Sequence, residues 1–160
     1  MIVLMSSPSR HASNLAVVSQ SDVTVFAVRD DAAVRSAPTT LNSAKLGTLG
    51  RGAQIQGTWL ERNAAGYRWF KVSSGPFAGD YVWERNLSPM APAQLSAAIG
   101  ADRRALATVN AYSSPDLNAP VADTIAARHP VFVVGSVDGG WYEIRLKHGG
   151  IAYVQSSNIN

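Results

Sequence analysis

A chain of 160 residues with 46% hydrophobic and 16% charged side chains, four Trp and five Tyr carries enough apolar material for a core, which excludes a disordered tail. Its 14 Lys and Arg against 11 Asp and Glu give a net charge of +3, with Arg103 and Arg104 as the only adjacent basic pair, so nucleic acid is disfavoured as a partner. The lack of cysteine removes disulfides, thiolate metal sites and thiol nucleophiles.

The chain opens on an apolar tetrad, Ile2 to Met5, followed by Ser-rich sequence. It has neither a basic leading region nor the apolar run of about 7 to 15 residues that a secretory signal needs. The expectation is therefore no signal in the sequence as written and a flexible N-terminal segment over 1–21. No stretch of about 18 apolar residues occurs, so no membrane insertion is expected.

From residue 22 onward the apolar period is close to two, in VTVFAV (23–28), AQIQGTW (53–59), WFKV (69–72) and DYVW (80–83). Turn residues separate these runs, as in Gly50-Arg51-Gly52, Ser74-Gly75-Pro76, Asp138-Gly139-Gly140 and Gly149-Gly150. Short strands at this spacing predict a small all-β barrel or sandwich.

The pattern then repeats. WYEIRLKHGGIAYVQSSNIN (141–160) lies over WFKVSSGPFAGDYVWERNLS (69–88) without a gap, pairing Trp69 with Trp141, Phe70 with Tyr142, Val72 with Ile144, Tyr81 with Tyr153 and Asn86 with Asn158. Upstream, after a small slip, GAQIQG (52–57) resembles PVFVVG (130–135). The chain reads as a tandem of one fold: a first domain over 22–89, a linker over 90–100 and a second domain over 101–160. Small residues and prolines around the linker allow a single helical turn there.

The order of motifs in the first copy resembles the bacterial SH3 family. Val34-Arg35-Ser36-Ala37-Pro38, Leu46-Gly47, Arg51-Gly52, Trp69 to Val72, Gly79-Asp80-Tyr81-Val82 and Leu87 carry the likeness. The second copy departs from it at three places: Ala111-Tyr112 for Val34-Arg35, His129-Pro130 for the basic-Gly turn and Ile151-Ala152 for Gly79-Asp80. The resemblance implies two tandem small SH3-like β-barrels without catalytic activity or cofactor. It also implies a place in the periplasm or outside the cell and, as partner, peptidoglycan or a wall peptide. A cytoplasmic place stays open, and so does a protein partner recognised through an extended peptide.

Alternation along the strands puts Phe70, Val72 and Val82 inside and Trp69, Tyr81 and Trp83 on the other face. In the second copy Tyr142, Ile144 and Val154 point in, while Trp141, Glu143 and Tyr153 point out. Outward rings from adjacent strands could make an aromatic wall for sugar or peptide. They could equally cap a barrel, because a domain of about 60 residues buries only about 60% of its unfolded surface and needs its large side chains. Trp59 and Trp83 occur in the first copy only, which makes them candidates either for a ligand patch or for contact between the barrels. Arg35 could meet an anionic ligand or pair with Asp30 or Asp31, and Tyr112 stands in its place in the second copy. The candidate ligand-binding set is thus Trp59, Trp69, Tyr81, Trp83, Arg35, Tyr112, Trp141 and Tyr153.

Signals for catalysis are missing. His11, His129 and His148 sit without carboxylates at metal-ligand spacing, so no metal is expected. There is no nucleophile elbow, and GTLGRG (47–52) lacks the lysine and following helix of a phosphate loop. A carboxylate pair from Asp80 and Glu84 is left as the one arrangement sequence does not exclude.

Overall fold

The computed structural model describes residues 21–147 and 149–160. The expectations for 1–20, including His11, and for His148 fall outside the described residues.

The described chain is all-β and forms two antiparallel sheets. The first contains β1 (Val23–Ala27), β2 (Ala32–Arg35), β3 (Lys45–Leu49), β4 (Gln54–Trp59), β5 (Trp69–Val72), β6 (Tyr81–Trp83) and β7 (Leu87–Ser88), in the order β3-β2-β6-β5-β4-β1-β7. The second contains β8 (Ala97–Arg104), β9 (Val109–Tyr112), β10 (Val121–Ile125), β11 (Pro130–Val137), β12 (Trp141–Arg145) and β13 (Ile151–Gln155), in the order β10-β9-β13-β12-β11-β8. Strand for strand the two orders are the same. In both, the segment after a final 3-10 turn comes back to the first strand: β7 pairs with β1, and Ile159 bridges to Ala105 just beyond β8.

The repeat read from the sequence is reproduced in the ladder. Trp69 lies opposite Trp83 and Phe70 opposite Val82, just as Trp141 lies opposite Gln155 and Tyr142 opposite Val154. Gly57 and Gly135, matched by the repeat, share a physical reason. A Cβ on Gly57 would run into the carbonyl oxygen of Lys71, and one on Gly135 into that of Ala97. Both are places where a neighbouring backbone approaches too closely for a side chain.

Each sheet has its own apolar core. Val25, Val34, Phe70, Val72 and Val82 fill the first, and Val131, Val133, Ile144, Ala152 and Val154 the second. Phe70, Val72, Val82, Ile144 and Val154 are side chains that alternation predicted to point inward, while Tyr142, expected with them, is only partly buried against the second core. A third cluster joins the copies: Val28 of the first packs with Val137, Trp141, Ile151 and Tyr153 of the second, together with Ala93 and Leu95.

Between the copies the chain differs from the expected linker. Residues 97–100 are the first half of β8, and no helical turn forms near them. The run 89–95 is extended chain lying against the second copy, where the amide of Ala93 donates to the Tyr153 hydroxyl at 2.7 Å. Prolines at 89 and 92 suit an extended path, since each bars its predecessor from the helical region.

Candidate functional site

The face of the sheet turned away from the core has different fates in the two copies. In the first, β5 and β6 bring Trp69 and Trp83 together as a cross-strand pair, ring centroids 6.5 Å apart and planes 26° from parallel. Tyr67, just before β5, meets Trp83 edge to face at 5.7 Å. Behind these rings stands Arg85, whose guanidinium lies 4.7 Å from the Tyr67 ring and 5.4 Å from that of Trp83, with Nη2 donating to the Tyr67 hydroxyl at 2.6 Å.

Two loops complete the walls. The loop before β5 is held by Glu84, which accepts from Arg62 and Arg68 at 3.0 Å each, and by Asn63, whose side-chain oxygen accepts from the amides of Ala65 and Tyr67. The loop between β2 and β3 is held by Arg35, which donates to the carbonyl and hydroxyl oxygens of Ser43 at 3.2 Å. Together they bring Pro38, Thr39, Thr40 and Asn63 around Tyr67, Trp69 and Trp83, enclosing a cavity of about 200 Å³. A cleft with flat aromatic walls and a few hydroxyl and amide groups can hold a sugar ring or a short peptide, the rings covering apolar faces and the polar groups fixing orientation.

In the second copy the same face is covered. Trp141 and Tyr153 are turned away from the core as expected, but they are buried under the linker and the first copy. The expected outward exposure of these two rings is therefore corrected, and so is that of Glu143. Glu143 is fully buried, receiving Arg51 in a two-pronged ion pair with both nitrogen–oxygen distances at 2.6 Å, and the Tyr153 hydroxyl at 2.9 Å. Arg51 Nη2 also donates to the carbonyl of Ala93 at 2.9 Å. The bond to Glu143 raises the pKa of Arg51, and burial raises that of the Tyr153 phenol, so both stay protonated. Tyr112 meets Trp141 edge to face at 5.8 Å and, with Gln155 where the first copy has Trp83, lines a polar hollow of about 210 Å³.

Of the candidate residues, the structure brings Trp69 and Trp83 into one cleft. Trp69 is more enclosed than its outward direction implied, at 7% exposure, because Trp83 stacks on it. Tyr81 is half-buried on the same face without lining the cavity, and Trp59 is set apart, edge-on to Phe70 at 4.9 Å under the guanidinium of Arg68. Arg35 pairs with Ser43 in place of the expected Asp30 or Asp31. The Asp80 and Glu84 pairing is set aside, since Glu84 is taken up by two arginines. His129 is exposed in a turn.

Tyr67 and Arg85 belong to the site and were missed by sequence reasoning. The available signal was the repeat itself: Tyr67 falls on Gly139 and Trp83 on Gln155, so the first copy adds aromatic groups that the fold does not need.

Residues 107–160 match the bacterial SH3 domain family. The matched stretch is the second copy, the one whose motifs depart further from the family's order. A search of curated proteins finds no match. Among solved structures the chain is similar to NlpC2 from Trichomonas vaginalis at 15% identity and TM-score 0.36, covering 88% of this chain and 48% of that one. NlpC1 from the same organism gives 14% identity and TM-score 0.36, with 88% and 46% covered, so the chain spans about half the length of either. A structure described as CBDP35 gives 12% identity and TM-score 0.25, with 88% and 96% covered. At these TM-scores the likeness carries no functional weight. No helix among the described residues is long and apolar enough to cross a membrane.

Proposed function

We propose that the chain is a non-catalytic binding module of the bacterial SH3 kind, formed by two such domains, in which the aromatic cleft of the first takes peptidoglycan or its peptides outside the cytoplasm. The observation that carries this reading is the grouping of Tyr67, Trp69 and Trp83 around one cavity, in a copy that is not obliged by its fold to supply Tyr67 or Trp83. The family match of the second copy, together with the shared strand order, supports extending the SH3 reading to the first.

Retention of the purified chain on isolated peptidoglycan tests it, with Trp83→Ala and Tyr67→Ala as comparisons. Aromatic anchors in such sites typically contribute about 2 kcal/mol or more, so each change should weaken retention by more than about tenfold. No retention of the unaltered protein at low salt removes the wall ligand.

A second reading, a scaffold that recognises an extended protein segment, rests on the sheet edges. Among the described residues β3 pairs only with β2 and β10 only with β9, and Leu46 and Val121 are exposed on these edges. An added strand would use those backbone groups. Binding of a copurifying protein that survives Trp83→Ala would favour it.

A further inference from the structure

Beside the contact between the copies lies a cavity of about 260 Å³ that neither copy forms alone. Arg29 and Arg85 come to it from the first copy, Arg145 and Lys147 from the second, with Phe132 and Gly149 among the remaining walls. Four cationic residues therefore line one cleft, and the described residues do little to neutralise them. Arg29 has Asp31 at 3.8 Å, but that carboxylate is 81% exposed and its attraction is screened by water. Glu84 and Glu143, the buried carboxylates among the described residues, are already taken by Arg62 and Arg68 and by Arg51 and Tyr153.

The nitrogens at the cleft tell the same story. Arg85 directs Nη2 to the Tyr67 hydroxyl and the Lys147 carbonyl, and its Nη1 has no hydrogen-bond acceptor among the described residues. Arg145 sits over Phe132, its guanidinium carbon 4.5 Å from the ring centre, and has neither a hydrogen bond nor an ion pair among the described residues. The Nε atoms of both arginines are shielded from solvent and find no acceptor among those residues. Burial, and then the charge of Arg29, hold the Arg145 guanidinium below its ordinary pKa, in spite of the attraction of Asp31 and Glu143.

We infer that this seam is a binding site for a phosphate group, held jointly by arginines of both copies. Guanidinium forks match phosphate oxygens two at a time, and a group carrying more than one negative charge answers a cluster of four cations with one exposed acid better than a single carboxylate does. Arg85 connects the seam to the aromatic cleft, since its guanidinium faces Tyr67 and Trp83 while its Nη2 reaches the second copy.

Calorimetric titration of the full chain with inorganic pyrophosphate, with a short glycerol phosphodiester oligomer and with citrate tests the site without using a wall ligand, so it can fail or succeed apart from the proposal for the aromatic cleft. Binding of pyrophosphate assigns a free phosphate, and binding of the oligomer alone assigns phosphate carried on a chain. Either affinity should fall by about tenfold in the Arg29→Gln, Lys147→Gln double variant and decline as salt rises. Asp31→Asn removes the competing acid and should tighten binding, a gain that misfolding does not produce. Absence of binding by both phosphates, citrate binding as tightly as pyrophosphate, or affinities unchanged in the double variant would each overturn the inference.

Discussion

A carboxylate with no exposure to water is costly unless its charge is met and its lone pairs are occupied. Glu143 meets both conditions through Arg51, which offers two nitrogens, and through the Tyr153 hydroxyl, which in turn accepts from Ala93. The phenol of Tyr153 is thereby tied to stability in alkali. Its pKa is raised in the folded chain, chiefly by burial, above the ordinary value of about 10. Below that value the proton is bound in both folded and unfolded chains and stability is complete. Above it the unfolded chain loses the proton first, so stability falls as pH rises. Denaturant titrations between about pH 9 and 11 should show this decline, and Tyr153→Phe should flatten it; an equal slope in the variant would mean that another group is responsible.

Strands and turns decide which faces meet. Gly149 lies at φ +113 in the turn between β12 and β13, and a Cβ there would stand 3.0 Å from the Cα of Arg85 and 3.1 Å from the carbonyl oxygen of Glu84. Both the backbone conformation and the approach of the first copy require glycine at this place. Gly149→Ala should lower stability by about 1 to 3 kcal/mol, read as a reduced denaturation midpoint, whereas Gly66→Ala, at φ +87 in an open loop, strains only its own backbone. A smaller loss at 149 than at 66 would show that the two copies do not press together there.

At this level much was legible. Period-two alternation placed Phe70, Val72, Val82, Ile144 and Val154 in the cores because a strand's neighbours must point to opposite sides. The ungapped repeat matched Trp69 with Trp141, and the two ladders agree, with Trp69 opposite Trp83 and Trp141 opposite Gln155; the meeting of Trp69 with Trp83 itself was not read from the sequence. What alternation cannot say is what lies beyond the outer face. Trp141 and Tyr153 point as expected, yet they are buried by Val28, Ala93 and Arg51, which sit far away in the sequence. The aromatic cleft was half visible for a related reason. Trp69 and Trp83 stand on strands whose register is set locally, while Tyr67 is delivered by a loop whose course depends on Asn63, Arg62 and Glu84.

For the molecule as a whole, the ion pair across the copies joins two small cores that would each be marginal alone. Arg51→Met leaves the Glu143 charge buried without its counter-ion and should cost about 3 to 5 kcal/mol, far more than the joint replacement of Arg51 and Glu143 by methionine. Thermal unfolding followed by calorimetry should show one transition in the unaltered chain and two in Arg51→Met. Two transitions in both proteins would mean that the copies never unfold as a unit.

The chain between the copies lies over the outer face of the second, and on the proposed binding role that limits how many guests the pair can hold. Doubling a module ordinarily brings avidity, because a second arm finds its target at high local concentration. Here Trp141 and Tyr153 are covered by the protein's own chain, so the proposed aromatic site would be monovalent. Strength through multiplicity would have to come from several chains arrayed side by side.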